Sequence, residues 1–290
     1  KEVISMENST LDKNKYHALA RQAAAEACVL LKNDGGALPL QKGQRISVFG
    51  RIAWNYYKSG TGSGGLVNTW YVIGILDALR SCADLQVNEE LAGIYEAWIS
   101  DHPFDAGNGW GTEPWCQEEM PLSEELVSKA AACSDCAIFI IGRTAGEDRD
   151  ASAEAGSFLL TQTEYDALEK VCRIFPKSIV LLNVGNIIDM GWVEKINPSA
   201  VMYVWQGGQE GGNGVLDVLT GRERLAERQL SQPLAARYEG DAPLTICGAL
   251  PAYHLLVKAR ACGGVIIVSR AVERPLIVHG PHHARCVSHS

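Results

Sequence analysis

The sequence predicts an α/β fold, a three-layer α/β/α sandwich around a mostly parallel sheet. Short apolar runs at 46–50, 136–142, 178–185 and 199–205 alternate with helix-like stretches. The run Cys-Ala-Ile-Phe-Ile-Ile-Gly at 136–142 is apolar at alternate positions on both faces, as central parallel strands covered on two sides are. Loops of chemical character follow the strand ends, the edge at which doubly wound sheets bind ligands.

Each element has its own reason. From Tyr16 to Asn33 the spacing of Leu19, Ala23, Ala27 and Leu30 predicts one helix, stopped by Asn33-Asp34-Gly35-Gly36. Residues 46–50 form a strand that runs into a loop too glycine-rich for regular structure, and 69–81 return as a helix. Residues 84–122 interrupt the alternation with a helical stretch and an irregular segment holding Trp110 and Trp115; so long an insertion is usually functional or a partner contact. Ser123 caps the next helix, and Thr161 with Glu164 spells a capping box for another. The last strand runs into Gln-Gly-Gly-Gln-Glu-Gly-Gly-Asn at 206–213, where the helix dipole accounts for Glu210.

Composition narrows the function classes. A net charge of −8 argues against a nucleic-acid partner, which needs a basic face. No apolar run reaches the roughly 20 residues of a membrane span, and the first ten residues carry no hydrophobic signal core. Nine cysteines without regular spacing read as small core residues in a reducing compartment, so the expected location is cytoplasmic. Cys133 and Cys136 form a Cys-x-x-Cys in helix-to-strand order, opposite to the redox arrangement, and read as structural. No metal or cofactor is expected.

Three loops could carry chemistry. Ser-Gly-Thr-Gly-Ser-Gly-Gly at 59–65 lacks the Gly-Lys-Ser/Thr of a phosphate loop and has the wrong register for a dinucleotide fingerprint. Its glycines do permit close backbone approach to a ligand, with Ser63 offering a hydroxyl. Residues 206–213 read as turn chemistry. Gly-Arg-Thr-Ala-Gly-Glu-Asp-Arg-Asp at 142–150 leaves two readings open. Its charges pair among themselves in a solvated loop, or Glu147, beside Gly146, projects into a cleft as a general acid or base.

Five segments together resemble glycoside hydrolase family 3, specifically its α/β-sandwich domain. They are 23–40, 59–65, 142–150 with 156–168, 178–190 and 204–222. The resemblance covers about Tyr16 to Arg222, in family order. It implies a retaining, exo-acting β-glycosidase, β-glucosidase-like, working on a β-glycoside or oligosaccharide. It implies Glu147 as the catalytic acid/base and Ser63 as a substrate-binding position lining the sugar site. The family's nucleophile belongs to a separate (β/α)8 barrel, for which the chain has no room. The expected organisation is a lead segment at 1–15, the sandwich at 16–222, and an atypical tail at 223–290 that is frameshifted or disordered. The chain therefore reads as an inactive fragment of an inverted-order member, its missing barrel a required partner. The alternative is a non-catalytic carbohydrate- or partner-binding module. In the tail, His279, His282, His283, Cys286 and His289 match no common zinc spacing.

Overall fold

The computed structural model describes residues 12–65, 67–146 and 150–223, together with three strands between 255 and 279. Strands β1 (Val29–Asn33), β2 (Arg45–Phe49), β3 (Gln86–Val87), β4 (Cys136–Arg143), β5 (Ser178–Val184) and β6 (Ala200–Tyr203) form one sheet in the order β1-β6-β5-β4-β2-β3. All neighbours in it are parallel except β1, which runs antiparallel to β6.

Alternation along β4 explains the three layers. Cys136, Ile138 and Ile140 face one core, shared with Ile75, Leu76 and Leu79 of α2 (Ile75–Ser81) and with Val215, Leu216 and Leu219 of α7 (Gly211–Leu219). Ala137, Phe139 and Ile141 face the other. There they meet Tyr95 of α3 (Glu89–Asp101), Val127 of α4 (Glu124–Ala132), Leu168 of α5 (Gln162–Ile174) and Trp192 of α6 (Gly191–Ile196). Every residue of β4 and β5 is buried, as expected of strands covered on both sides. The sandwich expected from the sequence is therefore present.

Two helix boundaries differ from the periodicity. The helix expected over 16–33 is two elements: α1 (Lys13–Ala27), capped by the Asp12 side chain at Lys15 N–H, and the edge strand β1. Cys28 turns the chain into extended geometry, and Val29–Asn33 then pairs with β6 through Val29↔Tyr203 and Asn33↔Ala200. Ladder hydrogen bonds to a strand distant in sequence outweigh a local helical spacing. Likewise α2 begins at Ile75 rather than near 69, because Gly74 is its N-cap and its N–H is held by the Asp77 carboxylate at 2.9 Å. The two expected caps do form: Ser123 Oγ accepts from Leu126 N–H at 3.1 Å, and Thr161 and Glu164 cap each other reciprocally.

In the tail, β7 (Leu255–Arg260), β8 (Val265–Arg270) and β9 (Pro275–His279) form a separate antiparallel sheet. The remainder of the histidine-rich end lies outside the described residues. Among the described residues, no helix is long and apolar enough to cross a membrane.

Candidate functional site

Leaving β1 aside, the sheet runs β3-β2-β4-β5-β6, a doubly wound order that reverses between β2 and β4. Chains leaving adjacent parallel strands on opposite sides of such a reversal open a crevice at their carboxyl ends. The loop after β2 is the glycine-rich 59–65, and the loop after β4 carries 144–150. The two stretches singled out in the sequence thus flank the switch point.

The loops also touch. Thr61 and Gly146 form an isolated parallel bridge, with Thr61 N–H donating to Ala145 O at 2.5 Å and its hydroxyl to the same carbonyl at 3.3 Å. A Cβ on Gly146 would lie inside the Thr61 hydroxyl, and one on Gly60 inside the Ala145 carbonyl. Glycine at both positions is what allows two backbones to close this far. Ser63 sits exposed in the tight turn Gly62–Gly64 that follows. Glu147 lies outside the described residues, as do Asp148 and Arg149. Its immediate neighbour Gly146 is fixed by the bridge.

The idea that the loop's charges pair among themselves is corrected at Arg143. Its guanidinium is buried and grips Glu164 with both terminal nitrogens, at 2.6 and 2.7 Å. It also donates to the carbonyls of Gly142, Ser157 and Leu159. Burial disfavours its charge, but the Glu164 carboxylate wins, and the group stays above its ordinary pKa. Glu164, read from sequence only as a helix cap, therefore has two tasks: it accepts from Thr161 N–H at 2.7 Å and neutralises Arg143. One bidentate pair ties the end of β4 to α5 and to the return segment at 157–159.

Beside the bridge is a cavity of about 440 Å³. It is lined by residues 54–62 of the loop after β2 and by Phe104, Trp110 and Glu113 of 102–122, the irregular part of the 84–122 insertion. Phe104 packs edge-on to Tyr57 with centroids 6.3 Å apart. The insertion itself is anchored from beneath by two buried groups. Arg51 donates to the carbonyls of Glu118 and His102 and to the Asn55 side chain. Glu119 accepts from the backbone N–H groups of Arg51 and Met120, each at 2.9 Å.

The Arg51 guanidinium is satisfied by neutral acceptors, so Glu119 has no direct ion pair to hold its charge. Burial pushes its carboxyl up to about 8, against the lowering effect of the hydrogen bond from Arg51 N–H. A folded pKa above the unfolded value near 4.3 means that the folded state binds the extra proton. The Glu119 contribution to stability is then complete below about pH 4 and is lost as pH rises toward about 8. Glu119→Gln, which mimics the protonated form, should flatten this dependence. The melting temperature of wild type relative to the variant should fall between pH 5 and 8; a constant difference would contradict it.

Glu210 is buried at the N-cap of α7, where it accepts from the Tyr71 hydroxyl and from Asn213 Nδ2. Its carboxylate makes no cap hydrogen bond to the α7 backbone, and these two side chains are partners that the sequence did not reveal. Cys133 and Cys136 are free thiols, and burial pushes Cys136 up to about 12, which leaves it unreactive. Among the described residues no cluster of three or more metal-ligating side chains occurs.

With this geometry in place, comparison with known proteins decides the family. The model of the glycosyl hydrolase family 3 C-terminal domain matches residues 28–228. The chain belongs to glycosyl hydrolase family 3. A β-glucosidase of Ruminococcus albus is 55% identical over 211 residues, spanning 73% of this chain and 22% of that protein. β-Glucosidase A of Butyrivibrio fibrisolvens is 33% identical over 255 residues, spanning 80% of the chain and 30% of the relative. Among solved structures, a β-glucosidase from Paenibacillus barengoltzii matches with a TM-score of 0.70 at 51% identity, over 71% of this chain and 23% of that one. β-Glucosidase 3B from Thermotoga neapolitana in complex with glucose matches at 0.66 and 34% identity, over 73% and 30%. This family 3 chain thus spans less than a third of each of these four relatives.

Proposed function

We propose that this chain is the acid/base-bearing sandwich domain of a retaining β-glucosidase, with Glu147 as the catalytic carboxyl and Ser63 beside the sugar. The observation that carries it is the Thr61–Gly146 bridge. It joins the glycine-rich loop to the residue before Glu147 at the switch point of the sheet. The nucleophile belongs to a (β/α)8 barrel supplied by the rest of the polypeptide, a reading supported by the small share of each relative that the chain spans. Glu147 protonates the glycosidic oxygen as the nucleophile attacks the anomeric carbon. It then takes a proton from the water that releases the sugar, the two carboxyls standing roughly 5–5.5 Å apart. A β-glucoside is the substrate class, in keeping with the relatives' names.

The same reading places the protein in the cytoplasm, supported by the free thiols of its six described cysteines. It also takes residues 223–290 as an atypical tail, most of which lies beyond the family match that ends at residue 228. The test is hydrolysis of β-glucosides by the barrel-containing polypeptide, with and without the Glu147 carboxyl. Activity should depend on it; unchanged turnover in Glu147→Gln would remove the proposal.

A further inference from the structure

Between α3 and α4 the chain makes one irregular excursion, and a single side chain holds both of its ends. Arg51, only 1% exposed, donates from Nη2 to the carbonyl of His102 at 2.7 Å and from Nη1 to the carbonyl of Glu118 at 3.0 Å. A second rung lies just inside the first. Buried Gln117 accepts from Asp105 N–H at 2.7 Å and donates to Asp105 O at 2.9 Å. Further out, a Cβ on Gly107 would stand 2.5 Å from the Thr112 backbone, so the two sides stay close there as well. Residues 103–117 thus form a loop of the Ω kind, compact and with its ends together. Its neck is fastened, and its tip carries Trp110, Gly111 and Glu113 to the cavity.

The fastener belongs to the opposite lining. Arg51 stands in the loop after β2, which continues through 54–62 along the same cavity. Its backbone N–H is held by Glu119 at 2.9 Å, and its Nε by the Asn55 side chain at 3.1 Å. Tyr95 of α3 accepts from Gly50 N–H at 3.0 Å and donates to Glu119 at 3.4 Å, and the Trp98 ring lies 5.4 Å from the guanidinium. A planar fork serves two carbonyls and an amide in three directions, which a lysine ammonium does not match. The two linings of the cavity are therefore joined through one side chain. We infer that Arg51, seconded by Gln117, is a positioning residue of this domain's reaction, holding the 103–117 loop ready so that substrate binding need not order it. This rests on the reading of the domain as part of a β-glucosidase that takes its sugar beside the glycine-rich loop. A loop left loose must be ordered at every binding event, a cost that weakens affinity and leaves the chemical step alone.

Arg51→Met and Gln117→Ala, compared with wild type in two measurements, test this. In hydrogen exchange of the 290-residue chain, amides of 103–117 should exchange about tenfold faster or more in Arg51→Met, while those of β4 keep their protection. In the barrel-containing enzyme the same variant should raise KM for cellobiose about tenfold, the cost of ordering two or three side chains, and change kcat by less than about threefold. Gln117→Ala frees only the Asp105 rung, at the exposed end of the neck, and should show the same pattern to a smaller extent. Unaltered exchange at 103–117 in both variants would overturn the clamp. Faster exchange with an unchanged KM would overturn the positioning role, as would a fall in kcat at constant KM. Should Arg51→Met lose protection in β4 as well, Gln117→Ala decides by the same two criteria. A wild-type enzyme that hydrolyses no β-glucoside would sink the functional reading, while the exchange result still judges the clamp.

Discussion

Glu147→Gln in the barrel-containing enzyme should lower kcat/KM for cellobiose by about 10²–10⁴-fold, the usual worth of a positioned proton donor. The reason is the leaving group. An alcohol expelled as its alkoxide is a poor departing species, so the first chemical step needs the proton that glutamine cannot give. A dinitrophenyl β-glucoside departs as a stable phenolate and should lose far less in that step. The difference between the two substrates is the signature of a lost acid; a residue that only shaped the pocket would slow both alike. The variant should also lose the alkaline fall of the pH–rate profile, since the group whose deprotonation causes it has gone. Equal losses on both substrates, with the profile unchanged, would assign Glu147 a structural role.

Arg143→Met should destabilise the sandwich by about 3–5 kcal/mol, as expected when one partner of a buried ion pair is removed. Glu164 is left buried with its charge uncompensated, and the carbonyls of Gly142, Ser157 and Leu159 lose a shared donor. For a domain of this size the melting temperature should drop by about 10 °C or more. Arg143→Met combined with Glu164→Met should recover part of the loss, because the orphaned charge is gone and the site is apolar. Thermal denaturation of the two variants checks both statements. A shift of less than about 1 kcal/mol in the single variant would mean that Glu164 finds another way to satisfy itself.

What the sequence reveals and what it hides have separate causes. The central strand at 136–143, the Ser123 cap and the Thr161–Glu164 box are local patterns, written within a few residues, and all three form. The β1 strand was hidden because its cause is remote. Leu30 continues the helical spacing of Leu19, Ala23 and Ala27, whereas the hydrogen bonds that make Val29–Asn33 a strand come from β6. The start of α2 was blurred by Trp70, Tyr71, Val72 and Ile73, which prolong the apolar run across Gly74.

The site divides in the same way. Its loops were legible as glycine-rich and charged segments after strands. Their mutual contact was not, since Thr61 and Ala145 are 84 residues apart. The Arg143–Glu164 pair spans 21 residues and two elements, and Glu164 already had a sufficient local role. Trp110 carried a signal only as an aromatic in an unusually long insertion; that it lines the same cavity as the glycine loop is a property of the fold.

The most direct measurement uses Glu147→Ala in the barrel-containing enzyme, a dinitrophenyl β-glucoside and added sodium azide. With its base removed, the enzyme should form the glycosyl intermediate and stall. Azide, a nucleophile that needs no deprotonation, should displace the barrel carboxylate from the anomeric carbon, restore turnover and give β-glucosyl azide. A variant that turns over at the wild-type rate without azide, or one that azide leaves stalled with no azide product, would contradict the assignment of residue 147.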